Sequence, residues 1–334
     1  MPALAQARHA ELAAGCDPDP DRRGWFDSAT GLSSHPGVEA MLAAERVDAV
    51  VVATPPAHHV AACLHALGAG VAVMCEKPLA PTREQAAELV EAAQRSELPL
   101  AVNHSLREAP IFAAIRSAIA SGEHGELRFV ELRQLMDLPP AAEPTPWRAA
   151  APDAALLEAG IHLADLLVHL YGAAPEAVYA RRGAEDDALV VMTVEFPGGR
   201  LGQLTINRLT TAATRYAELR ADCAQASLRA SWGGRALARI GKKRAERAGL
   251  RLEFGSGGLA WVERGRERRT LARNPRRPAV HGTARLLDGL AAAVRNGGEP
   301  PSSGREALET LALVEAAYRS AATGRRVPLD GLNQ

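Results

Sequence analysis

Two groups of side chains in this sequence are of types that move protons. The first closes the apolar run Val71-Ala72-Val73-Met74-Cys75, which delivers Glu76, Lys77 and Pro78 to one point. A run this short and this apolar suits a strand buried on both faces, as in a parallel sheet, whose ligand crevice lies at the carboxyl ends of its strands. Pro78 cannot donate a ladder hydrogen bond, so it ends the strand, and an X-Pro bond there can be cis and set where Lys77 points. At an ordinary strand-to-helix turn, by contrast, Glu76 and Lys77 would be a solvated pair. The second group lies on 153–172, which reads as a helix apolar nearly all round through Leu156, Leu157, Ile161, Leu163, Leu166, Leu167, Val168 and Leu170. Its ionisable residues, Glu158, His162, Asp165 and His169, fall within an arc of about 60° at 100° per residue, narrower than an ordinary solvent-facing side. Titratable groups on so narrow a stripe need partners, and a histidine near neutrality can accept a proton. The plain alternative is an amphipathic helix whose polar side is widened by Ala155, Ala159 and Ala173. A zinc site is a further option, but the sequence offers no third converging ligand group.

The elements around Lys77 alternate. Gly37 to Ala44 reads as a helix, Val47 to Ala53 as a strand, Ala57 to Leu67 as a helix, and Leu98 to Val102 as a strand. Thr82, with Glu84 and Gln85 in the first turn, caps a helix through Arg95. Such alternation with short loops predicts a Rossmann-type, doubly wound parallel sheet. Upstream, Met1 to Arg8 reads as the body of a helix, and His9 to Cys16 as a strand ending in Asp17-Pro18-Asp19-Pro20-Asp21-Arg22. In a dinucleotide-binding fold an acidic residue at the end of the second strand takes the ribose hydroxyls, about 20 residues after a Gly-x-Gly-x-x-Gly turn. Asp17 fits that role, which places the turn before Met1. The chain as given is therefore expected to lack the first strand and its glycines, through a start codon set too late rather than as a truncated copy that binds cofactor poorly.

At 334 residues the chain suits two domains, with boundaries at 1–122 and 123–334. From Gly125 the pattern changes to long strands, Gly125 to Leu135, Leu189 to Phe196 and Gly202 to Asn207, with a hairpin signal at Pro197-Gly198-Gly199. This predicts an α+β domain with a large open, mostly antiparallel sheet. Two helices follow, Val280 to Asn296 and Gly304 to Thr323. Lys plus Arg equal Asp plus Glu at 39 each, so nothing argues for a polyanionic partner. The arginine- and glycine-rich stretch from Arg235 to Pro278 has interspersed glutamates and few aromatics, which reads as a solvated face and not as a nucleic-acid surface. Cys16, Cys63, Cys75 and Cys223 show no ligand spacing and read as reduced thiols of a cytoplasmic protein. No apolar stretch reaches the roughly 18 residues of a membrane span.

Thr54-Pro55-Pro56-Ala57-His58-His59 after a strand, a helix to Gly70, Glu76-Lys77-Pro78, and Leu79-Ala80-Pro81-Thr82 follow in this order. The set resembles the Gfo/Idh/MocA family of nicotinamide-dependent oxidoreductases. The resemblance implies that Thr54, Pro55, His59, Glu76, Lys77 and Pro78 border the nicotinamide. It continues at Val102-Asn103-His104-Ser105-Leu106-Arg107-Glu108-Ala109-Pro110, where Arg107 and Pro110 match while His104 stands for a tyrosine and Glu108 for a phenylalanine. The family motif Asp-x-Gly-x-His-x-x-Asp reads Glu158-Ala159-Gly160-Ile161-His162-Leu163-Ala164-Asp165, with glutamate in place of aspartate. Trp147-Arg148 matches the substrate-loop pattern, whereas the paired glycines before the motif are absent at Pro152-Asp153-Ala154.

Hydride transfer from a carbinol carbon requires a base for the hydroxyl proton and a group for the developing oxyanion. The implied catalytic set is Lys77 and His162 on one hydroxyl, with Glu158 orienting His162. His104, Arg107, Trp147, Arg148 and Asp165 are the implied substrate contacts, and a sugar or cyclitol is the implied substrate. Asp17 favours NAD, while Arg22 and Arg23 leave NADP as the alternative. The family uses no metal, and its C-terminal helices pack between the domains. A homodimer or homotetramer through the outer face of the second sheet is expected, because a sheet with helices on one side leaves the other to be buried. Other readings of the same fold are an NAD-dependent glycosidase, a ligand-sensing member without catalysis, and a biliverdin-reductase-like enzyme disfavoured by the His162 motif.

Overall fold

The computed structural model describes residues 2–135, 155–183, 188–210, 216–233, 235–240, 248–253, 257–275 and 277–329. The chain forms two compact units, Met1–Ser105 with Thr283–Leu311, and Leu106–Gly282 with Ala312–Gln334. In the first unit short strands alternate with helices: β1 (Gly15–Cys16), α1 (Pro20–Thr30), β2 (Ser34–His35), α2 (Val38–Ala44), β3 (Ala49–Val52), α3 (His59–Gly68), β4 (Ala72–Cys75), α4 (Arg83–Ser96) and β5 (Leu100–Val102). Strands β3, β4 and β5 form one parallel sheet in that order, and β1 pairs with β2 in a separate parallel pair. All four residues of β4 are buried, as expected of a central parallel strand. Among the described residues no strand pairs with the outer edge of β3, and Val51 on that strand is 47% exposed.

Residues 3–16 depart from the sequence reading. The helix expected over Met1 to Arg8 is a single 3₁₀ turn, Leu4–Gln6, and the strand expected from His9 is reduced to Gly15–Cys16. With one neighbouring strand, β1 has ladder partners for those two residues alone. Upstream, Ala3, Leu4, Ala7 and Ala10 pack on Ala72, Met74 and Leu286, Leu287 and Leu290 of the helix Pro278–Asn296. The Asp288 carboxylate of that helix accepts from the backbone N–H groups of Arg8 and His9 at 2.7 and 2.8 Å, satisfying donors that a strand would have used. The cap expected at α4 is present, Thr82 Oγ1 accepting from the Gln85 N–H at 3.3 Å.

The second unit contains α5 (Pro110–Ala120), β6 (Leu127–Leu135), a π-helical turn (Ala155–Gly160), α6 (Ile161–Tyr171) and strands β7 (Ala177–Gly183), β8 (Leu189–Phe196), β9 (Arg200–Asn207), β10 (Ala217–Cys223) and β11 (Ser227–Trp232). A hairpin of β12 (Arg235–Ile240) and β13 (Ala248–Glu253) follows, then β14 (Gly258–Arg264) and β15 (Glu267–Arg273), with β16 (Val327–Pro328) near the end. The helices α7 (Pro278–Asn296) and α8 (Gly304–Thr323) complete the chain. Nine strands form one sheet in the order β15-β14-β11-β10-β6-β9-β8-β7-β16, antiparallel except where β6 meets β9. The β8–β9 hairpin closes at Phe196–Arg200 over Pro197-Gly198-Gly199, where both glycines have positive φ, 79° and 71°.

Burial alternates along the strands, so one face carries the core. Val190, Met192, Val194, Leu204 and Ile206 line it, and Leu163, Leu166, Leu167 and Leu170 of α6 are buried. Helix α6 comes so close that a Cβ on Gly202 would lie 2.8 Å from Leu167 Cδ1. The opposite face carries interleaved charges, including Arg133–Glu218 at 3.2 Å, Arg220–Asp222 at 2.9 Å and Arg229–Glu263 at 2.9 Å, and Tyr179 and Leu201 are each 42% exposed. No helix among the described residues is long and apolar enough to cross a membrane.

Candidate active site

In the first unit the carboxyl ends of β3, β4 and β5 present Thr54-Pro55, Glu76-Lys77-Pro78 and Asn103 side by side. The Lys77–Pro78 bond is cis, Glu76 and Lys77 are partly exposed, and Pro78 is buried. The Glu76 N–H donates to the Val52 carbonyl at 2.8 Å, and the Asn103 N–H to the Cys75 carbonyl at 2.8 Å, so the sheet register extends to the site. Thr54 and Pro55 are exposed. His59 is buried, with Nδ1 2.8 Å from the Pro78 carbonyl and Nε2 2.9 Å from the Thr54 carbonyl. The ring thus lies between two carbonyls, and its N–H ties His59 to one of the two turns.

Asp17 ends β1 as expected. Its N–H donates to the His35 carbonyl at 3.1 Å, its Oδ1 accepts from the Asp19 N–H at 2.9 Å, and Arg22 lies 3.7 Å from Oδ2. The Arg23 guanidinium donates to the Asp17 carbonyl at 2.8 Å. Carboxylates at Asp17 and Glu76 suit the hydroxyls of a dinucleotide's two riboses, since each can accept a pair of hydrogen bonds. The start of α1 does not suit a diphosphate: Asp19 and Asp21 are acidic, Pro20 has no N–H, and the Asp21 N–H is taken by Asp19 Oδ1. Among the described residues no glycine-rich turn follows a strand into a helix. The acceptor set thus fits the nucleoside ends of a nicotinamide cofactor.

In the second unit the titratable stripe begins on the π-helical turn. Glu158 lies on that wider turn and His162 in the first turn of α6, whereas the sequence read one continuous α-helix from Asp153. The start is held by the Leu156 N–H donating to Tyr318 Oη at 3.1 Å. A Cβ on Gly160 would lie 3.0 Å from both Ile206 Cγ1 and Leu156 Cδ1, which explains the glycine between Glu158 and His162. Glu158 and His162 are partly exposed.

Asp165 and Arg107 form a bidentate pair, Nε to Oδ2 and Nη2 to Oδ1 each at 2.6 Å, with side chains 0% and 3% exposed. The sequence expects both to touch substrate; in the structure the buried pair links α6 to the turn Ser105–Glu108. His104 is fully buried. His169 is pushed down to about 4, first by burial and then by the Arg107 cation, with Asp165 opposing. Trp147 and Arg148 lie outside the described residues. Asn103, whose amide reaches Glu76, was missed as a site residue although it directly follows a buried strand. Among the described residues no three His, Cys, Asp or Glu side chains are grouped to hold a metal ion.

The parallel sheet with acceptors and a lysine at its carboxyl edge, followed by an α+β unit with a buried titratable helix, defines a dinucleotide-dependent oxidoreductase. Residues 1–104 match the model for the oxidoreductase family's NAD-binding Rossmann fold, 112–229 the GFO/IDH/MocA C-terminal domain, and 252–329 the oxidoreductase family's C-terminal alpha/beta domain. The chain is 31% identical to D-apiose dehydrogenase of Paraburkholderia graminis over 339 residues, covering 97% of this chain and 84% of that one. It is 29% identical to inositol 2-dehydrogenase of Corynebacterium glutamicum over 56% of each chain. Among solved structures, the WlbA dehydrogenase of Bordetella pertussis in complex with NADH and UDP-GlcNAcA superposes with a TM-score of 0.75 at 25% identity, over 98% of this chain and 92% of that one. Aldose-aldose oxidoreductase of Caulobacter crescentus gives 0.80 at 21% identity, over 98% and 95%. The chain belongs to the Gfo/Idh/MocA family, and it is an NAD-dependent oxidoreductase.

Proposed function

We propose that the substrate is a small polyhydroxylated molecule, a sugar or cyclitol, in which one carbinol carbon is oxidised or its ketone reduced. The observation that carries this reading is the lysine delivered by buried β4 to the sheet's carboxyl edge, next to the Glu76 carboxylate. Bound at this edge, NAD would supply the acceptor for the hydride from carbon. His162 accepts the hydroxyl proton, Glu158 orients its imidazole, and Lys77 holds the developing alkoxide. Thr54, Pro55 and Pro78 border the cofactor, His59 braces their two turns, and Trp147 and Arg148 hold neighbouring substrate hydroxyls. Arg107 and Asp165 position the helix that carries His162, and His104 supports the same turn.

Steady-state kinetics with a panel of sugars and cyclitols tests this assignment. Lys77→Ala and His162→Ala should each lower kcat by about 10²–10⁴-fold with little change in NAD affinity, and the double variant should lose far less than the product of the two. Near-wild-type kcat in either single variant removes that residue from the mechanism. Asp17 should repel a 2′-phosphate, and a tenfold or greater preference for NADP in kcat/KM would count against that role. The open sheet face, with both charge signs interleaved around Tyr179 and Leu201, can meet a second copy of itself about a two-fold axis. A homo-oligomer is the expected species, and a monomer by light scattering at micromolar concentration would refute it.

A further inference from the structure

Asn103 directly follows β5 at the carboxyl edge and is 8% exposed. Its Nδ2 donates to Glu76 Oε1 at 2.7 Å, while its Oδ1 accepts from Thr283 Oγ1 at 3.0 Å. The carboxylate decides which end of the amide is which: a flip would set Oδ1 against an acceptor-only group, while the Thr283 hydroxyl can donate to Oδ1 or accept from an NH₂ group. Thr283 lies on α7, 180 residues away in sequence. Glu76 is held at a second point, its N–H bonded to the Val52 carbonyl at 2.8 Å. Oε2 has no partner among the described residues and is available to accept.

We propose that Asn103 is a positioning residue for the cofactor, with Thr283 as its orienter. Asn103 fixes the Glu76 carboxylate so that the remaining oxygen accepts from a ribose hydroxyl. This inference rests on the assignment of Glu76 to the cofactor. A free glutamate has three rotatable bonds, and holding Oε1 removes most of that freedom before the ligand arrives. The gain therefore appears in affinity more than in chemistry. It also explains a polar residue sealed at the end of an otherwise apolar strand: Asn103 makes both of its side-chain bonds within a network that leads to the ligand edge.

The test is a mutant cycle on NADH affinity, measured by calorimetry on the full chain, together with cofactor-free thermal melting. Asn103→Ala should weaken binding roughly tenfold, the scale of one hydrogen bond to a charged group. Kcat at saturating cofactor should stay within about threefold, giving a split toward KM that a loss of fold would not produce. Glu76→Gln should weaken binding by a similar factor, and adding Asn103→Ala to it should change affinity by less than about twofold, because the asparagine acts through the carboxylate. Thr283→Val should produce a smaller loss, and Thr283→Ser should restore wild-type affinity, which keeps the test open if Asn103→Ala fails to fold. Normal affinity in Asn103→Ala beside a weakened Glu76→Gln overturns the positioning role alone. Multiplicative losses in the double variant do the same. Normal affinity in Glu76→Gln overturns the cofactor assignment of Glu76 together with this inference.

Discussion

Removing the charge of Asp165 should destabilise the second unit far more than a surface ion pair would. Its two hydrogen bonds to Arg107 are each 2.6 Å and the side chains are 0% and 3% exposed, so water cannot replace what is lost. Asp165→Asn keeps the volume and opens no cavity, so the cost reads the loss of the carboxylate's charge from beside the buried guanidinium. Breaking one partner of such a pair costs about 3–5 kcal/mol. For a cooperative unit of roughly 200 residues, at about 2–4 °C per kcal/mol, the expected fall in Tm is about 6–20 °C. Arg107→Leu should be comparably severe, since it strands the carboxylate. The double variant Arg107→Leu/Asp165→Leu buries no charge, and its cost should fall short of the summed singles by at least about 1.5 kcal/mol. Scanning calorimetry with urea unfolding gives all four corners of the cycle. Asp165→Asn within about 1 kcal/mol of wild type, or singles that simply add, would refute the argument that this pair anchors α6.

Burial and the Arg107 cation hold His169 near 4 against its ordinary 6.5, so the unfolded chain binds an extra proton between those values. Stability should therefore fall as pH drops from about 6.5 to 4, approaching ~1.4 kcal/mol per pH unit, and His169→Gln should flatten that slope in denaturant titrations at several pH values. His59→Phe keeps an aromatic ring but removes the ring N–H that lies between the Thr54 and Pro78 carbonyls; a loss of about 1–3 kcal/mol in stability is expected, with weaker NADH binding by calorimetry. In Gly160→Ala the new methyl meets Ile206 and Leu156 at 3.0 Å, so about 1–3 kcal/mol of overpacking should appear in urea unfolding. Glu158 and His162 flank this position, and a drop in kcat well below the melting temperature is the expected outcome.

What the sequence determined by itself was local or periodic. The apolar run ending at Glu76-Lys77-Pro78 announced a buried parallel strand because no other element of that length hides both faces, and the proline stopped it where the ladder ends. Thr82 and the glycines at 198 and 199 likewise read correctly, since a cap and a hairpin turn depend on a few neighbouring residues. The family and its nicotinamide chemistry were legible because several motifs recur in a fixed order. Tertiary structure decided which polar groups pair. Arg107 and Asp165 each looked like a substrate contact, and only the packing of α6 brought them together and sealed them from water. The same holds for His59, whose nitrogens face two carbonyls, and for Asn103, whose orienting hydroxyl lies 180 residues away. Asp288, which takes the amides of Arg8 and His9, likewise had no local signature to read. A hydrogen bond across so long a loop leaves no spacing in the sequence, because its partners meet only after the helix and the sheet have packed.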